Sequence, residues 1–316
     1  MRLGLCCATE RGRRVLEALA SIPDLDLVVA SFREEPWEPP YFDNIKAAAA
    51  LVEAPFFETR RLASVEDDFY ANQIDALLCV SWRYLIPNAT YRRARLGGFT
   101  LHDSILPAYR GFSPTVWAMI NGETTTGVTL LEIVDEVDAG DIYAQRAVSI
   151  DASDDIGAVV ERVTDAYVNI VTTTVPALLN GTITGHPQDH AAATFATKLG
   201  PEDFTIDWSW PSHRIHNLVR ATTRPYAGAQ TTFNGSPLTV WRTRLEPNPP
   251  RYQGAVIGRH AGTTTDGGVR VITGDGSIII TEVETESGHP KRAASVLTSV
   301  SSTLGAQPAV RILRST

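Results

Sequence analysis

His102 and Asp138 have the residue types and the setting for acid–base chemistry. His102 follows an apolar run that begins at Gly98, and Asp138 opens the segment Asp-Ala-Gly-Asp at 138–141, where the glycine permits a tight turn. If the run is a strand, His102 stands at its carboxyl end, where open α/β sheets bind their ligands. A histidine there and a carboxylate on a loop can exchange protons with a group that reacts at a carbonyl carbon. Taken alone, the two residues also fit a structural histidine and a turn-capping aspartate.

The elements that would position this pair alternate between strands and helices. Apolar runs predict strands at 3–7, 25–32, 74–81, 98–102 and 127–134. Helical periodicity predicts helices at 12–20, 44–53, 114–120 and 154–179. The continuous apolar run at 74–81 is typical of a strand in a parallel sheet that is covered on both faces. This alternation predicts a Rossmann-like, doubly wound α/β domain.

The pattern changes after about residue 186. The small, polar stretch at 189–200 is typical of a linker, and a helix is predicted at 212–221. Short strands are predicted at 229–233, 238–242, 255–259, 269–273 and 277–283. Five short strands at this spacing favour a small OB-like β-barrel. We therefore expect a catalytic domain at 1–188, a linker at 189–204, the barrel at 205–290 and a Ser/Thr-rich tail at 291–316.

Composition argues against several other classes of protein. The 316 residues are 43% hydrophobic and 20% charged, as in an ordinary globular protein. The longest apolar runs are far shorter than a membrane span, and the N-terminus lacks the order of regions found in a signal peptide, so we expect a cytoplasmic protein. Cys6, Cys7 and Cys79 lie in apolar runs and are expected as buried thiols, without a disulfide or a metal site. A net charge of −8 argues against broad binding of nucleic acid.

The stretch from Phe99 to Asp141 resembles the signature of the formyltransferases that use N10-formyltetrahydrofolate. That family's core reads Asn-x-His-x-Ser-Leu-Leu-Pro, then Tyr-Arg-Gly and Pro, then Asn-Gly-Glu and Gly-Val-Thr, and finally Asp-x-Gly-Asp. The matching residues here, in the same order and spacing, are His102, Ser104, Ile105, Leu106, Pro107, Tyr109, Arg110, Gly111, Pro114, Asn121-Gly122-Glu123, Gly127-Val128-Thr129 and Asp138-Ala139-Gly140-Asp141. The stretches 198–208 and 215–229 are similar to the family's entry into a carboxyl-terminal barrel, so the resemblance covers roughly residues 1–285.

The resemblance implies a reaction and a catalytic role for three positions. In the family an amine attacks the formyl carbon directly, with neither a metal nor a covalent enzyme intermediate. His102 is expected to meet the developing oxyanion and to shuttle a proton. Asp138 is expected to hold His102 in the useful tautomer and to help deprotonate the substrate ammonium. The third position is Thr100, where the family has an asparagine that donates to the formyl oxygen.

Thr100 is the position at which sequence and family disagree. A threonine hydroxyl is a donor with a shorter reach than an asparagine amide, and loss of one oxyanion donor typically costs about 10²- to 10³-fold in turnover. A second interpretation is that threonine simply fills a strand position that suits it.

The resemblance also implies where the folate and the amine bind. Folate is expected across the loop after the strand at 74–81, with a second wall on the segment from Glu132 to Asp138. The expected folate-contacting residues are Trp82, Arg83, Tyr84, Leu85, Ile86, Glu132 and Val137. The expected substrate-contacting residues are Arg110, Gly111, Thr9, Arg11 and Tyr226. Alternative roles stay open for Trp82 and Tyr84, which also fit packing between sheet and helix, and for Arg110, which also fits a structural ion pair.

The acceptor amine is constrained by the branch of the family that the chain resembles. Methionyl-tRNA formyltransferases and the formyltransferases of amino-sugar nucleotides share the barrel. The Arg-Pro-Tyr at 224–226 and the His-Asp-Ser at 102–104 are closer to the sugar-modifying branch. We therefore expect a small amine, an amino sugar attached to a nucleotide, with methionyl-tRNA as an alternative that the negative charge disfavours.

A divergent relative is the remaining alternative. Because Thr100 replaces the asparagine, the chemistry could instead be an altered one-carbon transfer or hydrolysis of the folate. No membrane partner is expected. A homodimer is compatible with the sequence, which does not fix the oligomeric state.

Overall fold

The computed structural model describes residues 1–36, 38–71 and 73–305. These residues divide into two compact units. The first comprises 1–115, 125–149 and 160–197, and the second comprises 116–124, 150–159 and the chain from 198 onward. The domain limits expected at 188, 204 and 290 stay predictions, since the compact units are not continuous stretches of chain.

The chain up to residue 197 supplies the strands and helices of the α/β architecture. Its strands are β1 (Arg2–Cys7), β2 (Asp26–Ser31), β3 (Phe56–Glu58), β4 (Ala76–Val80), β5 (Gly98–His102), β6 (Arg110–Gly111), β7 (Thr125–Glu132), β8 (Ile142–Ser149) and β9 (Phe195–Ala196). Its helices are α1 (Thr9–Ala20), α2 (Phe42–Leu51), α3 (Glu66–Tyr70), α4 (Asn88–Tyr91), α5 (Pro114–Ile120) and α6 (Ile156–Leu179).

Among the described residues, seven strands form one sheet in the order β3-β2-β1-β4-β5-β7-β8. The strands from β3 to β5 run parallel, while β7 runs antiparallel to β5, and β8 antiparallel to β7. The chain winds outward in one direction from β1 through β2 to β3, and in the other through β4 to β5. The predicted doubly wound α/β domain is confirmed, with a topological switch point between β1 and β4.

The core of this unit has the apolar pattern that the sequence predicts. All five residues of β4 are buried, as expected for a strand covered on both faces. The predicted stripe of α1, formed by Val15, Leu16 and Leu19, is fully buried. The three cysteines are buried free thiols, as expected, and burial raises the pKa of the Cys7 thiol.

The second part of the chain forms an antiparallel sheet. Its strands are β10 (Ala229–Phe233), β11 (Ser236–Arg244), β12 (His260–Thr263), β13 (Val269–Ile272), β14 (Ser277–Thr285) and β15 (Pro290–Arg292), and its helices are α7 (Ser212–Thr222) and α8 (Ala293–Val296). The order is β10-β11-β14-β13-β12, with β15 paired to β14. Leu304 bridges to Phe233 and Thr303 to Arg259, so the chain at 302–305 joins the two edges of the sheet. The predicted small barrel is confirmed as this antiparallel domain.

One expectation for this part of the chain is wrong. Residues 255–259 do not form a strand: Gly254 and Gly258 adopt positive φ, residues 257–258 form a turn, and Val256 and Ile257 are exposed. The expected tail contributes β15, α8 and the closing segment at 302–305, while 306–316 lie outside the described residues. Within the described ranges, no helix combines the length and apolar character that a membrane crossing requires.

Candidate active site

His102 and Asp138 lie side by side at the end of β5. His102 is the last residue of that strand, and only 8% of its surface is exposed. Its Nδ1 atom lies 3.5 Å from Oδ2 of Asp138, and its Nε2 atom lies 2.8 Å from the main-chain oxygen of Tyr109. The structure therefore brings together the two residues that the sequence singles out for acid–base chemistry.

The contact with Tyr109 fixes where His102 carries its hydrogen. A carbonyl oxygen only accepts, so Nε2 must be the protonated ring nitrogen. In a neutral ring, Nδ1 is then a bare acceptor that faces the carboxylate of Asp138, whereas in a charged ring Nδ1 donates to that carboxylate. In this geometry Tyr109 selects the tautomer, and Nδ1 faces the carboxylate of Asp138.

Asp138 reaches His102 on a loop that doubles back along β5. Glu132, the last residue of β7, pairs with Phe99, three residues before His102. The loop at 133–141 then returns Asp138 to the carboxyl end of β5. The sequence does not predict this path, because it depends on the antiparallel direction of β7.

The loop holds Asp138 in an uncommon backbone conformation. Asp138 has a φ of +54°, a region that non-glycine residues rarely adopt. Its Oδ2 atom accepts the main-chain N–H of Gly111 at 2.8 Å. Gly140 is required beside it, because a Cβ there would lie 2.0 Å from the main-chain oxygen of Glu132.

Arg110 is enclosed by protein groups next to this loop. Only 1% of its surface is exposed, and its Nε and Nη2 atoms donate to Oε1 of Gln188 at 3.2 and 2.8 Å. Nη2 also lies 3.1 Å from Nδ1 of His190, and Nη1 lies 3.4 Å from Oε1 of Glu136. Gln188 and His190 are not predicted from the sequence, because they lie at the start of a small, polar region with no periodic signal.

Thr100 lies in β5, two residues before His102. Its hydroxyl donates to the main-chain oxygen of Cys79 in the neighbouring strand at 3.3 Å. The hydroxyl is therefore engaged within the sheet.

Aromatic side chains gather at the loop after β4. The rings of Trp82 and Tyr84 meet the ring of Phe32 edge-on, with centroids 5.2 and 4.8 Å apart. Both side chains are half-buried, so each has a packing role whether or not it contacts a ligand. This loop leaves the sheet at the switch point, where open α/β sheets bind ligands.

The remaining residues of that loop point in different directions. Arg83 forms an ion pair with Glu38 at 2.6 Å, and its guanidinium stacks on Phe32. Ile86 is buried in the core, whereas Leu85 is 90% exposed. Leu85 is thus the apolar side chain of this loop that is accessible to a ligand.

The expected second wall contains Glu132 and Val137. Glu132 is half-buried, and its pKa is raised, first by burial and then by the negative charge of Asp141. Val137 is exposed and directly precedes Asp138.

Two expected substrate residues lie after β1. Thr9 has a φ of +65°, which is rare for a β-branched residue and is typical of backbone held in place at functional sites. Arg11 forms an ion pair with Asp103 at 2.7 Å and stacks on the ring of Tyr167, so its charge is partly compensated within the protein. Tyr226 lies in the second unit, and its side chain is partly exposed.

Comparison with known proteins identifies the family of this fold and site. The chain matches the family model described as formyl transferase over residues 30–175, and that of the formyl transferase C-terminal domain over 198–301. A methionyl-tRNA formyltransferase of Listeria monocytogenes serotype 4a (strain HCC23) is 31% identical over 285 residues, covering 88% of each chain. The chain therefore belongs to the formyltransferase family, and it is a formyltransferase that takes its formyl group from a formyl-folate.

Solved structures share this architecture. An N-formyltransferase from Helicobacter canadensis, in complex with folinic acid and dTDP-3-aminofucose, superposes with a TM-score of 0.66 at 16% identity over 88% of this chain and 98% of that one. HypX from Aquifex aeolicus gives a TM-score of 0.61 at 20% identity over 94% of this chain. The chain spans about half the length of HypX, 47%.

Proposed function

We propose that this protein transfers the formyl group of N10-formyltetrahydrofolate to the amine of a small, nucleotide-linked amino sugar. The observation that carries the proposal is the buried pair of His102 and Asp138, with Nδ1 and Oδ2 3.5 Å apart. Burial strengthens the electrostatic effect of such a pair on charge that develops beside it.

The pair can take up the proton whose loss frees the amine for attack. Asp138 and Nδ1 of His102 form the base that receives a proton from the substrate ammonium. The Nε2–H of His102 donates to the main-chain oxygen of Tyr109 at 2.8 Å, so it becomes the donor for the developing oxyanion only when the bound substrate replaces that carbonyl as its acceptor. The ammonium loses two protons in all. The first passes through the pair to solvent and frees the amine. The second leaves as the amine nitrogen bonds to the formyl carbon and the bond from that carbon to N10 breaks, and it ends on N10.

The folate is proposed to lie across the loop after β4. Its position at the switch point and the exposed Leu85 support this assignment. Glu132 and Val137 are proposed as the second wall, because they begin and end the segment that leads to Asp138.

A small acceptor is supported by the distribution of charge. Residues 1–197 carry 15 Lys and Arg against 27 Asp and Glu, so a long polyanion near the catalytic pair is disfavoured. The Helicobacter canadensis neighbour is solved with dTDP-3-aminofucose, which is a nucleotide-linked amino sugar.

Methionyl-tRNA is the second candidate acceptor, and two observations favour it. The Listeria relative at 31% identity is a methionyl-tRNA formyltransferase. Residues 198–316 carry 13 Lys and Arg against 9 Asp and Glu, so the excess of negative charge is confined to residues 1–197.

A formyl-transfer assay with labelled N10-formyltetrahydrofolate separates these acceptors. The panel contains nucleotide-linked amino sugars, charged initiator tRNA, and no acceptor at all, with mass spectrometry of the products. We expect label on an amino sugar and none on tRNA. Label on tRNA at physiological salt would show that methionyl-tRNA, and not an amino sugar, is the acceptor. Labelled formate released equally with and without acceptors would show that the reaction is hydrolysis and not transfer.

A further inference from the structure

Gln188 lies in the segment after α6, and all the hydrogen-bonding capacity of its side-chain amide is used. Its Nε2 atom donates to the main-chain oxygens of Asp138 and Gly140, each at 2.8 Å. Its Oε1 atom accepts from Nε and Nη2 of Arg110. Only 6% of the residue is exposed, so these bonds are made away from water. Two donors and two acceptor lone pairs are all that a glutamine amide possesses.

These bonds join the two segments that face the carboxylate of Asp138. The two bonds from Nε2 hold the main chain before and after Ala139, and Asp138 has its positive φ in this segment. The two bonds to Oε1 hold Arg110, and the next residue, Gly111, donates its N–H to Oδ2 of Asp138 at 2.8 Å. Gln188 is thus connected both to the backbone that carries the carboxylate and to the strand that supplies its hydrogen-bond donor.

We propose that Gln188 is a positioning residue that sets the carboxylate of Asp138 against Nδ1 of His102. The inference rests on the proposed function, in which these two groups exchange the substrate proton. Catalysis is sensitive to such placement, since a displacement of about 1 Å can cost about 10²-fold in rate. Gln188 touches neither the folate nor the amine in this account, and its effect passes through Asp138.

The variant Gln188→Glu separates the bonds that Gln188 donates to the loop of Asp138 from the bonds that it accepts from Arg110. A glutamate of the same length keeps the acceptor for Arg110, and the two charges attract. It removes both N–H donors and places a carboxylate oxygen against the carbonyls of Asp138 and Gly140, so the loop must move. Gln188→Met, which removes every hydrogen bond, is the second variant. Thr231→Val is the matched control, because it removes one buried hydrogen bond, from Trp208 at 2.9 Å, in the second unit.

Kinetics of the full-length protein test the positioning role. We expect Gln188→Glu to lower kcat about 10- to 10²-fold, with little change in the KM for formyl-folate. In an Asp138→Asn background the same substitution should change the residual kcat by less than about two-fold, because residues that act as a unit are not additive. Thr231→Val should lower thermal stability and leave kcat near that of the wild type. Additive losses, or a change confined to KM, would overturn the proposal.

Hydrogen exchange supplies a measurement that does not require activity. In protein without added folate, Gln188→Glu and Gln188→Met should both accelerate amide exchange in residues 136–141 relative to Thr231→Val. Unchanged exchange in that loop would refute the positioning role even if kcat falls. If the wild type transfers no formyl group to any acceptor, the proposed function fails, and exchange still decides the role of Gln188.

Discussion

The hydroxyl of Thr100 donates to the main-chain oxygen of Cys79 on the adjacent strand, at 3.3 Å. A hydroxyl has one hydrogen, so this bond directs it into the sheet. The family places at this position an asparagine that donates to the formyl oxygen. The Nε2–H of His102 is likewise held by a main-chain oxygen, that of Tyr109 at 2.8 Å. We propose that His102 exchanges this bond for one to the oxyanion when substrate binds, and that Thr100, whose hydroxyl is bonded within the sheet, makes no contribution.

The first prediction concerns the effect of Thr100→Asn on turnover. An asparagine supplies an amide donor with longer reach, which adds a second hydrogen bond to the oxyanion. Turnover with formyl-folate and the preferred acceptor should rise by about ten-fold, about 1.4 kcal/mol of barrier. Steady-state kinetics at saturating acceptor measures the change.

Thr100→Val is the control for this prediction. Valine keeps the shape and removes the hydroxyl, so turnover should fall by much less than the roughly 10²-fold typical of a lost oxyanion donor. A fall of that size would mean that the hydroxyl leaves Cys79 and serves the reaction. A Thr100→Asn variant with lower turnover than the wild type would indicate that the chemistry has diverged.

The second prediction concerns Leu85 in the loop after β4. Leu85 is 90% exposed, so Leu85→Ala should leave thermal stability unchanged. If folate covers this loop, the substitution should weaken binding by about ten-fold, about 1.4 kcal/mol. This is somewhat less than the roughly 1.5–3 kcal/mol of a fully buried leucine side chain.

Leu51→Ala is the matched control for Leu85→Ala. Leu51 is also exposed, at 85%, but it is the last residue of α2 and does not belong to the loop after β4. Titration calorimetry with a stable formyl-folate analogue should show weaker binding for Leu85→Ala alone. Equal affinities for the two variants would move the folate away from this loop.

The third prediction concerns the half-buried Glu132. Burial and the neighbouring charge of Asp141 raise its pKa above the ordinary 4.5, so the ionised form is disfavoured in the folded protein. The stability that the neutral form contributes is complete below pH 4.5 and is lost as the pH rises through the raised pKa. Glu132→Gln should therefore melt at a higher temperature than the wild type at pH 7.

The gain in melting temperature of Glu132→Gln should shrink at pH 4, where Glu132 and its glutamine replacement are both neutral. Differential scanning calorimetry at the two pH values measures it, with Glu286→Gln, an exposed glutamate, as the control for loss of one charge. A gain of equal size at both pH values would exclude ionisation as its cause.

Local sequence patterns predicted the elements that present His102 and missed those whose partners are remote. The strand at 98–102 and the helix at 114–120 have the predicted limits, because each is a compact apolar pattern bounded by clear signals. β8, at 142–149, has no such pattern, since it is an edge strand with largely exposed residues. Edge strands need only a few buried side chains, so their sequences carry little periodicity.

The candidate site shows the same division. The motif marked His102 and Asp138, which share one stretch of chain. Gln188 lies 50 residues from Asp138, directly before the polar segment that suggested a linker. Its role depends on hydrogen bonds across the fold, which no local pattern reveals. The aromatic contacts of Trp82 and Tyr84 with Phe32 are equally invisible to local spacing.

The central claim is that Asp138 and His102 move the proton in formyl transfer. Asp138→Asn tests it sharply, because asparagine tolerates positive φ and can still accept the N–H of Gly111. Asp24→Asn is the matched control, since Asp24 is an exposed aspartate with a φ of +59°.

The decisive measurement is the single-turnover rate of formyl transfer in protein saturated with N10-formyltetrahydrofolate. Asp138→Asn should be slower than the wild type by at least the roughly 10²-fold typical of a lost acid–base group. Its folate affinity and melting temperature should be unchanged, and Asp24→Asn should match the wild type. An Asp138→Asn variant that transfers the formyl group at nearly the wild-type rate would contradict the account.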